Sequence, residues 1–137
     1  VLGLQVDGLL DESDPSVPGN IGRLPRAMSG KEFRAWLGEC LKREPLHIGE
    51  DNDTIETIAW CTGGGQGYLE AVAQLGIDAF ITGEVSEQTI HTAREMNIHF
   101  YSAGHHATER YGAKAIAEHL TKLDSLVVEF VDIPNPA

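Results

Sequence analysis

The sequence predicts an α/β fold, with helices layered on both faces of a mixed, mostly parallel sheet. Three observations point there. From Thr57 onward, short apolar runs alternate with segments of helical period, the pattern of strand–helix units. Successive runs close on Thr62-Gly63, Thr82-Gly83 and Ala103-Gly104, whose glycines stand 20 and 21 residues apart, one strand–helix unit each. The chain has 137 residues, 42% hydrophobic and 23% charged, which suits one core of ordinary globular make-up.

The elements follow in order. Residues 1–10 are mostly apolar and read as an opening strand. Residues 11–30, rich in proline and glycine, read as an irregular excursion and a functional or subunit-contacting loop. Ser29 with Glu32 forms a capping box, and Phe33, Trp36, Leu37, Cys40 and Leu41 then recur at helical spacing until Pro45 closes the helix. A short strand over 46–48 completes a first stretch, residues 1–50. The second, 51–137, holds three strand–helix units: strands over 58–61, 79–81 and 98–101, and helices over 66–75, 86–96 and 107–123. Gly76 stops the first of these helices. The β-branched run 126–133 predicts a final strand, ended by Pro134. Together these make a single α/β region.

Charge narrows the function. Ten Lys+Arg against 21 Asp+Glu give a net charge of −11. That balance excludes nucleic-acid binding through a basic patch and adhesion to an anionic membrane. It suits metal cations or a small-molecule substrate. Two cysteines, Cys40 and Cys61, make no disulfide framework and read as reduced thiols. No run approaches the ~20 apolar residues of a membrane span, and no leader pattern opens the chain, so a cytoplasmic location is expected.

Parallel strands joined by such units end on one edge of the sheet, where α/β folds bind ligands. Gly64, Glu84 and His105 are therefore expected around a common crevice. The run Thr62-Gly63-Gly64-Gly65-Gln66-Gly67 exposes backbone amides, and Gly63, Gly64 and Gly65 either line a pocket for an anion or substrate or simply allow a tight turn. It lacks the ending of a Walker A loop and the third glycine of a dinucleotide fingerprint. Three histidines stand four residues before a carboxylate: His47/Asp51, His91/Glu95 and His105/Glu109. Six histidines among 21 acidic residues produce such spacing by chance, so position decides. His47 lies in a strand, and His91/Glu95 reads as a solvated ion pair mid-helix. His105 follows a strand-ending glycine with Glu109 on the same crevice edge, which makes this the candidate pair for Zn, Mn, Fe, Co or Ni. No nucleophile elbow is present, and the aromatics occupy core spacing.

The segments Ala59-Trp60-Cys61-Thr62-Gly63-Gly64-Gly65-Gln66, Asp78-Ala79-Phe80-Ile81-Thr82-Gly83-Glu84 and Ala103-Gly104-His105-His106-Ala107-Thr108-Glu109-Arg110, with the closing Asp132-Ile133-Pro134-Asn135-Pro136-Ala137, resemble the Ngg-interacting-factor-three family. Its bacterial members carry the name GTP cyclohydrolase one type two homologue. The resemblance implies an α/β protein with a dinuclear centre of divalent metal ions, two per complete subunit, assembled as a homohexamer. His105 and Glu109 match a Gly-His-x-x-x-Glu element that supplies metal ligands. The family's other ligands, an adjacent pair of histidines and an aspartate, come from its N-terminal half and have no counterpart here. A Tyr-His pair found in many relatives is replaced by Glu87-Gln88.

The expectation is therefore the C-terminal portion of a metal-dependent hydrolase of a nucleotide-like small molecule. Glu84 is then a candidate carboxylate for proton transfer or for supporting a ligand. A non-enzymatic metal-binding scaffold, or a phosphoesterase on the same metals, is the alternative.

Overall fold

The computed structural model describes residues 1–123 and 126–136. Among them, six strands form one mixed sheet: β1 Gln5–Leu9, β2 Asn20–Ser29, β3 Leu46–Ile48, β4 Thr54–Cys61, β5 Ala79–Thr82 and β6 His99–Ser102. The order is β1-β2-β4-β5-β6-β3, with β4, β5 and β6 parallel at the centre and the flanking pairs antiparallel. The helices are α1 Gly30–Leu41, α2 Leu69–Gln74, α3 Glu87–Glu95 and α4 His105–Leu120.

Side chains alternate across the central strands, as pleating requires. Ile58, Ile81 and Tyr101 face one way and pack with Phe33, Leu37 and Leu41 of α1. Ala59, Phe80 and Phe100 face the other way and pack with Leu69 and Val72 of α2 and Ala93 of α3. Tyr111 of α4 packs on the α1 side. Its hydroxyl donates to the Cys40 carbonyl, and Arg110 donates to the Leu41 carbonyl at 2.8 Å. The result is α/β/α layering.

Helix α1 starts as its capping box requires. The Glu32 amide donates to Ser29 Oγ at 3.2 Å and the Ser29 amide to Glu32 Oε2 at 3.0 Å. It ends at Leu41, four residues before Pro45, because Lys42 takes the left-handed conformation and caps it.

Two expectations are corrected. Only the first part of 11–30 is irregular; Asn20–Ser29 is a ten-residue strand between β1 and β4. Its Pro25 sits where the register with β4 breaks, between Arg23 and Met28, so the missing amide costs no ladder bond. Gly22 is needed there, since a Cβ would run into the Gln5 backbone. Leu24 and Met28 are buried, and this non-local pairing and burial outweigh the local turn signals. Residues 126–133, expected as a strand, form no ladder among the described residues. Val127, Val131 and Ile133 are exposed, and Asp132 ties the segment to His106 at 2.8 Å and to Arg110 at 3.1 Å. A β-branched run extends but becomes a strand only when an edge pairs with it.

Candidate metal site at the strand edge

Cys61, Thr82 and Ser102 lie side by side in register, so the turns after β4, β5 and β6 meet at one edge. They are bonded together: the Gly83 amide donates to the Gly63 carbonyl at 2.8 Å and the Gly104 amide to the Gly83 carbonyl at 3.0 Å. Thr82 Oγ1 donates to the Gly63 carbonyl at 3.0 Å and accepts from the Gly65 amide at 2.8 Å. Thr108 Oγ1 accepts from the Gly63 amide at 3.0 Å. The two hydroxyls clamp the glycine loop from β5 and α4.

Above this floor, His105 stands between two carboxylates. Its Nδ1 lies 2.6 Å from Glu84 Oε1 and its Nε2 lies 3.0 Å from Glu109 Oε2. Gln66 Nε2 donates to the other Glu84 oxygen at 3.2 Å. The hydrogen bond to Glu84, helped by the charge of Glu109, holds the His105 imidazole above its ordinary range. The same bond holds the Glu84 carboxyl below its own. Burial, then the Glu109 charge, pushes the Cys61 thiol up and leaves it a poor nucleophile.

The glycines make room for this arrangement. Gly63 has φ +65°, and a Cβ there would sit 2.8 Å from the Glu109 carboxyl carbon and 3.1 Å from His105 Nε2. A Cβ on Gly64 would lie 3.4 Å from a Glu84 oxygen. With the amides of Gly63 and Gly65 taken by threonine hydroxyls and carboxylates lining the loop, the crevice favours a cation.

The structure thus gathers Glu84, His105, Glu109 and Gly63 to Gly65 at one place. It leaves the other two pairs apart from it. His47 Nδ1 lies 3.7 Å from Asp51 Oδ1 at the far end of the sheet. His91 and Glu95 are exposed and form no ion pair among the described residues, which corrects that expectation. Sequence reasoning missed Thr82, Thr108 and Gln66. The threonine before a strand-ending glycine was visible, but its hydroxyl's role depends on a loop 17 residues away.

One nitrogen and one carboxylate oxygen 3.0 Å apart, cradled by a glycine, fit a borderline divalent metal as a partial ligand set. Among the described residues no group of three or more His, Cys, Asp or Glu could hold a metal alone. The two donors present fall short of the four protein ligands of a structural site and the three of a catalytic one.

The sequence model of Duf34/NIF3 (NGG1p interacting factor 3) matches residues 2–136. The chain belongs to the DUF34/NIF3 family. It is 50% identical over 138 residues to proteins named GTP cyclohydrolase 1 type 2 homolog in Salmonella typhimurium and Escherichia coli K12, covering 100% of this chain and 54% of theirs. Among solved structures it resembles protein ybgI, described as of unknown function, with a TM-score of 0.89, 47% identity, and coverage of 99% of this chain and 53% of that one. TTHA1606 from Thermus thermophilus follows the same fold at a TM-score of 0.70 and 30% identity, over 85% of this chain and 47% of its own. The chain spans about half the length of the curated relatives it matches.

Proposed function

We propose that this NIF3-family chain supplies one half of a dinuclear metal centre in a hydrolase acting on a nucleotide-like small molecule. The observation that carries the reading is His105 held between Glu84 and Glu109 over the Gly63 cradle. His105 Nε2 and Glu109 would hold the metal; the remaining donors would come from outside this chain's residues. When bound, such a metal pair supplies an activated water and polarises the attacked carbon or phosphorus centre.

The chain's own groups have separate tasks. Glu84 accepts the Nδ1 proton of His105, which fixes the ring and leaves Nε2 free to ligate. Gln66 steadies Glu84, and the Thr82 and Thr108 hydroxyls hold the loop so that its backbone lines the crevice. In this reading the protein acts in the cytoplasm as a ring-shaped hexamer. The relatives' name, GTP cyclohydrolase 1 type 2 homolog, supports water attack on a purine ring as one candidate reaction.

Metal-dependent turnover of a nucleotide panel by the assembled protein tests it. Loss of that turnover in His105→Ala is the expected result. No turnover with any member, with assembly preserved, would favour a metal-binding scaffold instead.

A further inference from the structure

A polar cavity of about 440 Å³ opens at the N-terminal ends of the parallel strands, away from the Glu84–His105–Glu109 line. It lies within the size range of small-molecule sites. His47, Glu50, Asp53, Arg94, Asn97 and His99 line it.

Its wall is built around two imidazoles. His47 Nε2 and His99 Nδ1 are 3.0 Å apart with the rings within 6° of parallel, and His47 stacks on Tyr101 at 4.4 Å. The His47 side chain is 3% exposed and His99 is 7% exposed. Gly30 and Gly49 leave the space, since a Cβ on either would meet the His99 ring. Burial lowers the affinity of both rings for a second proton, so the pair is neutral and one nitrogen must donate to the other.

Carboxylates stand on both sides of the pair. His47 Nδ1 faces Asp51 Oδ1 at 3.7 Å. One proton is shared between His47 Nε2 and His99 Nδ1, which leaves His99 Nε2 as the ring atom outside this bond. His99 Nε2 makes no hydrogen bond among the described residues. Asp53, Asp78 and Glu50 are the anionic groups whose charges act on the same ring. Asp78 is already occupied, accepting from the Glu56 and Thr57 amides. The cavity therefore gathers two carboxylates, Asp53 and Glu50, beside the His99 ring, and sets Arg94 on its helical wall.

We propose that this cavity binds an amino-acid-sized zwitterion, its ammonium against Asp53 and Glu50 beside His99 and its carboxylate on Arg94. Two carboxylates beside a neutral imidazole call for a cationic N–H donor, and the guanidinium answers a carboxylate.

Titration of the assembled protein with the common amino acids, with ethylamine and with acetate, followed by amide NMR shifts, tests the proposal. At least one amino acid is expected to give saturable shifts at Asn97 and His99 at millimolar concentration, with ethylamine and acetate binding more weakly. Asp53→Asn and Arg94→Gln should each weaken binding by about tenfold or more, the effect of losing one charge-assisted hydrogen bond. No saturable shift with any amino acid would overturn it. So would ethylamine or acetate binding as tightly, or undiminished binding in either variant.

Discussion

Phe33→Ala should lower the unfolding free energy by about 3–5 kcal/mol, the usual cost of emptying a buried aromatic site. Phe33 is fully buried on the inner face of α1. It meets Tyr101 of β6 edge-on at 4.9 Å and Trp36 at 5.7 Å, so its removal strips contacts from helix and sheet together. The cavity cannot close easily, because Tyr101 is pinned by its hydroxyl bond to the Gly30 carbonyl at 3.0 Å. A domain of this size is stable by roughly 5–15 kcal/mol, so the loss is a large fraction of the whole. The urea midpoint measures it. A change under about 1 kcal/mol would mean that α1 is not seated on the sheet as described.

The second large effect is in acid. Burial, reinforced by the neighbouring His99, pushes His47 down to about 4 in the folded chain, against 6.5 when it is exposed. A depressed histidine favours the neutral form in the folded state. Its contribution is therefore fully present above pH 6.5 and is lost as the pH falls through about 4. The size is on the order of 3 kcal/mol, shared with His99 because the two rings exchange one proton. His47→Gln removes the titration while keeping a polar side chain. The wild type should lose stability relative to this variant between pH 6.5 and 4. Parallel stability profiles over that window would contradict the buried neutral pair.

How much of this was legible depended on whether the information was local. The capping box at Ser29 and Glu32 was, because its partners are three residues apart. So were the strand-ending glycines and the i, i+4 placement of His105 and Glu109 on α4. The strand at Asn20–Ser29 was not, since its proline and glycine read as a loop and only pairing with β1 and β4 makes it a strand. The segment 126–133 failed in the opposite direction: a strong β composition with no edge to join. The Thr82 and Thr108 clamps and the His47–His99 pair lie between residues 17 to 52 positions apart. Nothing in the residue types announces those contacts before the sheet has formed.

The central claim is that His105 and Glu109, steadied by Glu84, are half of a metal centre. Metal content per subunit of the purified assembled protein, compared between wild type, His105→Ala and Glu84→Gln, tests it most directly. The wild type should retain divalent metal, His105→Ala should lose it, and Glu84→Gln should bind it about 10–100-fold more weakly. Undiminished metal content in His105→Ala would contradict the account.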